Sequence, residues 1–471
     1  MARHERTVML ATLAVLQIVT IVIGAYAMTN DFNLSALRQP SPIGPTASPK
    51  GIPSAPVITS GPVLAQLSAT SGDGPLPTKS TLTRQLTDAL GDKALGGRVG
   101  AVVLDAATGA QIFASNPDTG ITPASTNKVI TTAAALAALG PDTRLSTRVV
   151  QGRTPGAIVL VGGGDPMLAG PSAKPADFPK QATLATLAAR TAATLKSKGV
   201  KKVTLSYDDS LFTGPAVAPG WKPNYVPDGE VAPVHALAVD EGRQRPGARP
   251  RVPDPAAYAA AAFAKLLPKY GVAVSGSVRA GKAAAGAAEL GKVDSAPVYA
   301  LVEHTLTHSD NDMAEALARH VAIKEGQEAS FAGASKAVLG VMRRLGVTKG
   351  VTVADGSGLS IRDRVSADAM ARVIAVASSA AHPELRAVAS GMPIAGFSGT
   401  LGNGRRFTRG DSKGQVGLVR AKTGTLNNVN TLAGLATAKD GRLVTFAFLA
   451  DDVPVNAEPV LDKLAAIVAR S

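Results

Sequence analysis

No cysteine occurs anywhere in the 471 residues. Disulfides, thiol nucleophiles and cysteine-ligated metals are thereby excluded, although the compartment is not fixed. Histidine is almost as scarce: His4, His235, His304, His308, His320 and His382 are the whole set, and none belongs to a His-Glu-x-x-His pair. His304 and His308 are four apart and can share a helix face. With no third ligand in view they read as polar surface rather than a zinc site. Aromatic residues are only 4% of the chain, too few for base-stacking platforms, and no nucleic-acid-binding motif is visible. The formal net charge of +14 therefore fits an anionic cell envelope or a solvated basic surface, and nucleic acid is not an expected partner.

What is present is a globular composition, 45% apolar and 18% charged, in a chain long enough for two or three domains. The N-terminal part departs from it. Arg3 and Arg6 precede Thr7 to Met28, a stretch without a charge that is long enough to span a bilayer. Ala25-Tyr26-Ala27 is also a small-x-small cleavage site. Residues 1–29 are expected to be a signal peptide or an N-terminal membrane anchor, with the remainder exported. Residues 30–79 read as a Pro/Ser/Gly-rich linker, with nine prolines between Arg38 and Ser80. Its reach lies between roughly 35 Å as a coil and about 120 Å extended.

The body opens with Leu82, Leu86 and Leu90, the spacing of a short amphipathic helix ending at Gly91. Strands are expected over 99–104 and 111–114, with Ala107-Thr108-Gly109 turning between them. Further on come a strand over 157–161, a helix over 182–195 and a strand over 203–207. The glycines of Gly162-Gly163-Gly164-Asp165-Pro166 lack dinucleotide spacing, because Met167 stands where the third would fall, and read as a tight turn. Helices follow over 298–306, 312–323 and 335–345. Strands over 418–422, 432–436 and 443–449 precede a closing helix over 460–468, with a hairpin signal at Lys439-Asp440-Gly441. Strands at both ends with helices between predict an α+β architecture, one antiparallel sheet built from the two chain ends. The expected domains are 80–144 and 290–471 as two parts of one unit, and 145–289 as an inserted accessory α/β domain.

Chemistry enters at Pro123-Ala124-Ser125-Thr126-Asn127-Lys128, which leads into an alanine-rich run ending at Gly140-Pro141. The run predicts a helix with Ser125 at its N-terminus and Lys128 one turn on, on the same face. A serine hydroxyl needs a base, and a neutral lysine can serve. Ser125 is the candidate nucleophile and Lys128 its base. Alone, Ser-x-x-Lys is a weak pattern that also suits a helix cap. Two further motifs change that. Ser309-Asp310-Asn311 falls in the break between two expected helices, and Lys422-Thr423-Gly424-Thr425 ends an expected strand. Ser-x-x-Lys, Ser-Asp-Asn and Lys-Thr-Gly together are the signature of penicillin-binding proteins and related β-lactamases.

The segments between the motifs sharpen this. Gly162 to Pro166, Asp208-Asp209-Ser210-Leu211-Phe212, Ala232-Pro233-Val234, Ala314-Glu315, Asp355 to Ser360 and Gly399-Thr400-Leu401 resemble those of class C low-molecular-mass penicillin-binding proteins. These are serine D-alanyl-D-alanine carboxypeptidases and endopeptidases of bacterial cell walls. The resemblance covers about Ser80 to the C-terminus. It implies a penicillin-binding/β-lactamase-like transpeptidase fold, with an antiparallel sheet flanked by helices and an all-helical subdomain. It departs in three places. The span from Ser125 to Ser309 is short, so a third domain is reduced or missing; Ile361 stands where arginine is expected; and His235 replaces a small polar residue.

The resemblance implies that Ser125 attacks the carbonyl between the last two D-alanines of a peptidoglycan stem peptide. Lys128 takes the proton, Ser309 relays one to the leaving amine and Asn311 holds a substrate amide. Lys422, Thr423 and Thr425 receive the terminal carboxylate, beside Gly424. The backbone N–H groups of Ser125 and Thr425 form the oxyanion hole. No cofactor or metal is required, and β-lactams are expected as covalent inhibitors. Two alternatives carry other expectations. A serine β-lactamase of class A needs Glu-x-x-Leu-Asn, and the only Leu-Asn, Leu426-Asn427, follows Thr423 at that spacing instead. A catalytically silent wall-binding protein would not need all the motif residues that are present.

Overall fold

The computed structural model describes residues 79–471, apart from 175, 177, 403, 405 and 409. The expected leader over 1–29, and all but the last residue of the linker over 30–79, lie outside the described residues. Helix α1 (Lys79–Leu90) buries Leu82 and Leu86 and is followed by strands β1 (Arg98–Asp105) and β2 (Gln111–Ser115). Helix α2 (Asn127–Leu139) comes next, preceded by a single 3₁₀ turn over Ala124–Thr126. Strands β3 (Arg144–Gln151) and β4 (Ala157–Val161), helix α3 (Leu184–Ser197) and strand β5 (Lys202–Asp208) follow. Helix α4 (Pro255–Leu266), the short strands β6 (Ala273–Val274) and β7 (Arg279–Ala280), and β8 (Glu289–Pro297) complete the middle of the chain.

A helical stretch then runs through α5 (Val298–His308), α6 (Asn311–Lys324) and α7 (Phe331–Arg344). After strands β9 (Val351–Thr352) and β10 (Arg364–Val365) come α8 (Ala367–Ser378) and α9 (Arg386–Gly391). Strands β11 (Val419–Leu426), β12 (Val429–Thr437) and β13 (Leu443–Asp451) lead to the closing helix α10 (Glu458–Arg470).

Five strands form one antiparallel sheet in the order β11-β12-β13-β1-β2, so both ends of the described chain contribute to it. Its two faces can be read off β1. Val102 and Leu104 join the core beneath α2 and α8, whereas Ala101 and Val103 join the core shared with α1 and α10. Such period-two alternation is what a strand covered on both sides requires. Helix α2 is buried all round, from Asn127 through Leu136, which marks a central helix rather than a surface one. Its alanines let α5, α6, α7 and α8 approach closely. Removing Val129, Ile130 and Leu136 from water is worth roughly 1.5–3 kcal/mol each.

The second sheet follows the order β6-β5-β4-β3-β8, with β7 also pairing β5. Strands β4 and β5 are parallel and joined through α3, while β3 runs antiparallel to both β4 and β8. Strands β3 and β8 and helices α4 and α8 are additions to the sequence reading. In β8, glycine and charged residues mask the alternation, and pairing with β3 from far along the chain holds it extended.

Candidate active site

Ser125 sits in the 3₁₀ turn that opens α2, behind Ala124, whose φ of 48° is unusual for a residue with a Cβ. Such strain is tolerated where surrounding contacts over-determine it. Lys128 lies one turn on, fully buried. Its amine donates to Ser125 Oγ at 2.9 Å, to Asn311 Oδ1 at 2.6 Å and to the Ser357 carbonyl at 2.7 Å. The last two are acceptors that cannot donate. A neutral amine therefore gives its two N–H groups to them and leaves its lone pair facing the serine hydroxyl. Burial pushes the Lys128 pKa down to about 8, against the pull of Asp355, Glu315, Asp310 and Asp312, whose charges favour the ammonium form.

Asn311 and Ser309 come from the break between α5 and α6. Ser309 ends α5 in a left-handed conformation (φ 59°, ψ 39°). Asp310 then caps α6, its side chain accepting from the Met313 N–H at 3.0 Å. The Asn311 amide donates to the Glu230 carbonyl at 2.8 Å, so its oxygen is the atom turned to Lys128. One helix start thus orients the base.

The third wall is β11, the edge strand of the first sheet. A Cβ on Gly424 would lie 2.1 Å from Thr431 Oγ1 and 2.6 Å from the Pro123 carbonyl. Only glycine lets the strand press this closely on the turn that carries Ser125. Thr431 Oγ1 ties the same contact from β12, donating to the Pro123 carbonyl at 2.8 Å. Thr423 Oγ1 shares a 2.7 Å hydrogen bond with Thr400 Oγ1. Lys422 is fully buried and donates to the Thr423 carbonyl at 2.9 Å. Burial, with Lys128 and Arg406 nearby, holds its pKa well below the ordinary lysine value. A cavity of about 680 Å³ is lined by Ser125, Ser309, Thr400, Thr423, Thr425 and Arg406, among others. Three distant segments therefore meet at one groove, with Lys128 and Asn311 linked to Ser125 at its edge.

Several contributors have no role in the sequence reading. The Asp355–Ser360 turn, named there only for its resemblance, supplies the Ser357 carbonyl that accepts a hydrogen bond from Lys128. That turn is held from two sides. Asp355 accepts from Trp221 Nε1 and from the Gly358 and Ser360 N–H groups, each at 2.7 Å. Glu315 is fully buried and accepts from the N–H groups of Gly356 and Ser357 at 3.1 and 2.8 Å. Glu315 is four residues past Asn311 on α6, so helical spacing places both on one face. Arg319 lies a further turn on, its guanidinium 3.8 Å from Glu315 and 4.0 Å over the Phe331 ring. Ile361 is 53% exposed, and its N–H donates to the Gly220 carbonyl.

Comparison with known proteins gives a consistent picture. Residues 82–251 and 244–470 match the D-Ala-D-Ala carboxypeptidase 3 (S13) family. The chain is 35% identical over 462 residues to Carboxypeptidase DacB of Mycolicibacterium smegmatis, covering 97% of this chain and 95% of the relative. Among solved structures it is similar to penicillin binding protein 4 from Haemophilus influenzae, with a TM-score of 0.66 and 24% identity over 83% of this chain and 98% of that one. A complex of the same Haemophilus protein with a novel β-lactam gives a TM-score of 0.63, at the same identity and coverage.

Proposed function

The chain belongs to the D-Ala-D-Ala carboxypeptidase 3 (S13) family, and from that premise we propose how its residues carry out the reaction. The protein is a serine-type D-Ala-D-Ala carboxypeptidase that acts on peptidoglycan outside the cytoplasm. The observation that carries the residue assignment is the set of three acceptors around Lys128 Nζ, which leaves the neutral amine one direction, Ser125 Oγ.

Ser125 Oγ bonds to the carbonyl carbon between the two terminal D-alanines as its proton passes to Lys128 Nζ. The N–H groups of Ser125 and Thr425 receive the negative charge that develops on oxygen, each worth about 3–4 kcal/mol. The C–N bond then breaks, the proton reaches the leaving amine through Ser309, and free D-alanine departs. Water next adds to the acyl carbon, returning Ser125 as the free hydroxyl and the shortened peptide as a carboxylate. Asn311 holds a peptide amide of the substrate. Lys422 meets the terminal carboxylate with Thr423 and Thr425, beside Gly424. An arriving carboxylate favours the Lys422 ammonium. If the leaving amine belongs to a cross-link, the same steps give endopeptidase action. Penicillin enters as a carbonyl compound whose leaving group stays tethered, which blocks water.

Residues 80–144 and 290–471 form the transpeptidase-like domain in this reading, and 145–289 the accessory domain inserted in it. Residues 1–29 serve as signal peptide or membrane anchor, and 30–79 as linker. Incubation with a purified stem pentapeptide should release one D-alanine per peptide, and benzylpenicillin should leave a slowly hydrolysed adduct on Ser125 by mass spectrometry. Ser125→Ala should abolish both. Rapid turnover of the penicillin adduct would indicate a β-lactamase, and no adduct on folded protein a silent wall-binding protein.

A further inference from the structure

The sequence places His304 and His308 four apart without a further ligand, and the fold supplies two. His304 Nε2 lies 3.3 Å from Asp310 Oδ2, and Glu241 comes in from a distant loop. One donor atom from each of Glu241, His304 and Asp310 lies within 4.8 Å of the others. The Asp310 side chain is only 5% exposed, and its Oδ2 is buried without a hydrogen-bond partner of proper geometry. The His304–Asp310 contact thus leaves a buried carboxylate oxygen without a well-formed hydrogen bond, beside an imidazole nitrogen, a place that a cation can fill.

The separation fits one. Two ligands at about 2.1 Å from a tetrahedral metal lie ~3.4 Å apart, close to what His304 and Asp310 already show. Glu241 has an oxygen to offer. Arg243 and Arg251 both contact its Oε2, at 2.6 and 3.4 Å, and among the described residues none donates a hydrogen bond to Oε1. Asp240 and Glu241 hold consecutive left-handed conformations (φ 51° and 57°). The His308 ring is 4.6 Å from that of His304, and both line the same open cavity of about 650 Å³. Carboxylates outnumber guanidinium groups here by four to three: Glu230, Glu241, Asp310 and Asp312 stand against Arg243, Arg249 and Arg251. A divalent cation is therefore not repelled by the local charge.

We propose that Glu241, His304 and Asp310 form a site for a divalent transition metal of the zinc type, with the fourth position left to water. Mixed imidazole and carboxylate donors suit zinc or cobalt better than calcium or magnesium. The metal takes no part in the chemistry. It fastens Asp310, the residue between Ser309 and Asn311, to helix α5 and to the loop at 241. The site itself does not depend on the catalytic reading, whereas this consequence does.

The test uses the untagged full-length protein, stripped of metal with a chelator and titrated with Co²⁺. One equivalent should give visible d–d absorption that Zn²⁺ then displaces. His304→Ala should abolish that signal and Glu241→Gln should weaken binding by roughly an order of magnitude. His382→Ala, in a separate surface pair with Glu384, should leave it unchanged. Covalent penicillin labelling reports whether each variant is folded, and the near-isosteric Glu241→Gln carries the test if His304→Ala fails to label. No saturable binding by the wild type overturns the proposal. So does binding that both ligand variants leave intact, or that His382→Ala removes.

Discussion

The proposed mechanism requires Lys128 to be a neutral amine when Ser125 attacks, which makes the rate of acylation a titration of that lysine. With a pKa of about 8, about one molecule in eleven carries the neutral amine at pH 7. At the ordinary value of 10.5 the fraction would be about one in three thousand, so burial raises the competent population by roughly 300-fold, or about 3 kcal/mol. The sign is unambiguous: the base form exists above the pKa, so acylation must rise with pH. Stopped-flow acylation by a chromogenic cephalosporin, followed from pH 6 to 10, should climb nearly tenfold per pH unit. It should bend near pH 8 and then level off. Lys422 is the other buried amine among the described residues, and Lys422→Arg separates the two because arginine stays charged throughout. The step should persist in that variant, at a reduced rate. A flat profile, a bend near 10.5, or loss of the step in Lys422→Arg would refute Lys128 as the base.

Three further outcomes follow from particular contacts. Gly424→Ala drives a Cβ into Thr431 Oγ1 and the Pro123 carbonyl; penicillin labelling of Ser125 should fall by at least an order of magnitude, with β11 displaced. Glu315→Gln removes a charge that favours the Lys128 ammonium and the carboxylate nearest Arg319. The acylation step should move to lower pH, and chemical denaturation should show a loss of about 3–5 kcal/mol from the uncompensated buried guanidinium. Asp462→Ala strips Arg406 of a buried partner whose two oxygens accept its Nε and Nη2 at 2.6–3.0 Å. A loss of about 3–5 kcal/mol is expected there too, measured by the same denaturation, with wild-type stability as the refuting result.

Legibility of the fold in the sequence followed local signal strength. Helix α2 announces itself through an alanine-rich run closed by Gly140-Pro141, and β13 through an apolar run after Lys439-Asp440-Gly441. The closing helix α10 shows its period in Leu461, Leu464 and Val468. In β3 the inward positions Leu145, Thr147 and Val149 are interleaved with serine and arginine, and its partner β8 lies far along the chain. Long-range pairing of that sort leaves little local trace. At the site, the reactive side chains sit in short motifs and can be read directly. The Ser357 and Glu230 carbonyls cannot, because any residue has a carbonyl and only the fold aims it. Glu315 is the intermediate case, visible on the Asn311 face of α6 but without a stated purpose until the turn at 355–360 is placed against it.

Strand β1 hydrogen-bonds to β13 along its whole length, and β11 closes the groove over the turn at Ser125. A nascent chain carries the proposed nucleophile early but receives the wall of its groove only when synthesis is nearly complete. A partly translocated molecule therefore has Ser125 and Lys128 without the strand that makes them useful. The order of synthesis alone therefore delays completion of the groove until the last strands are in place.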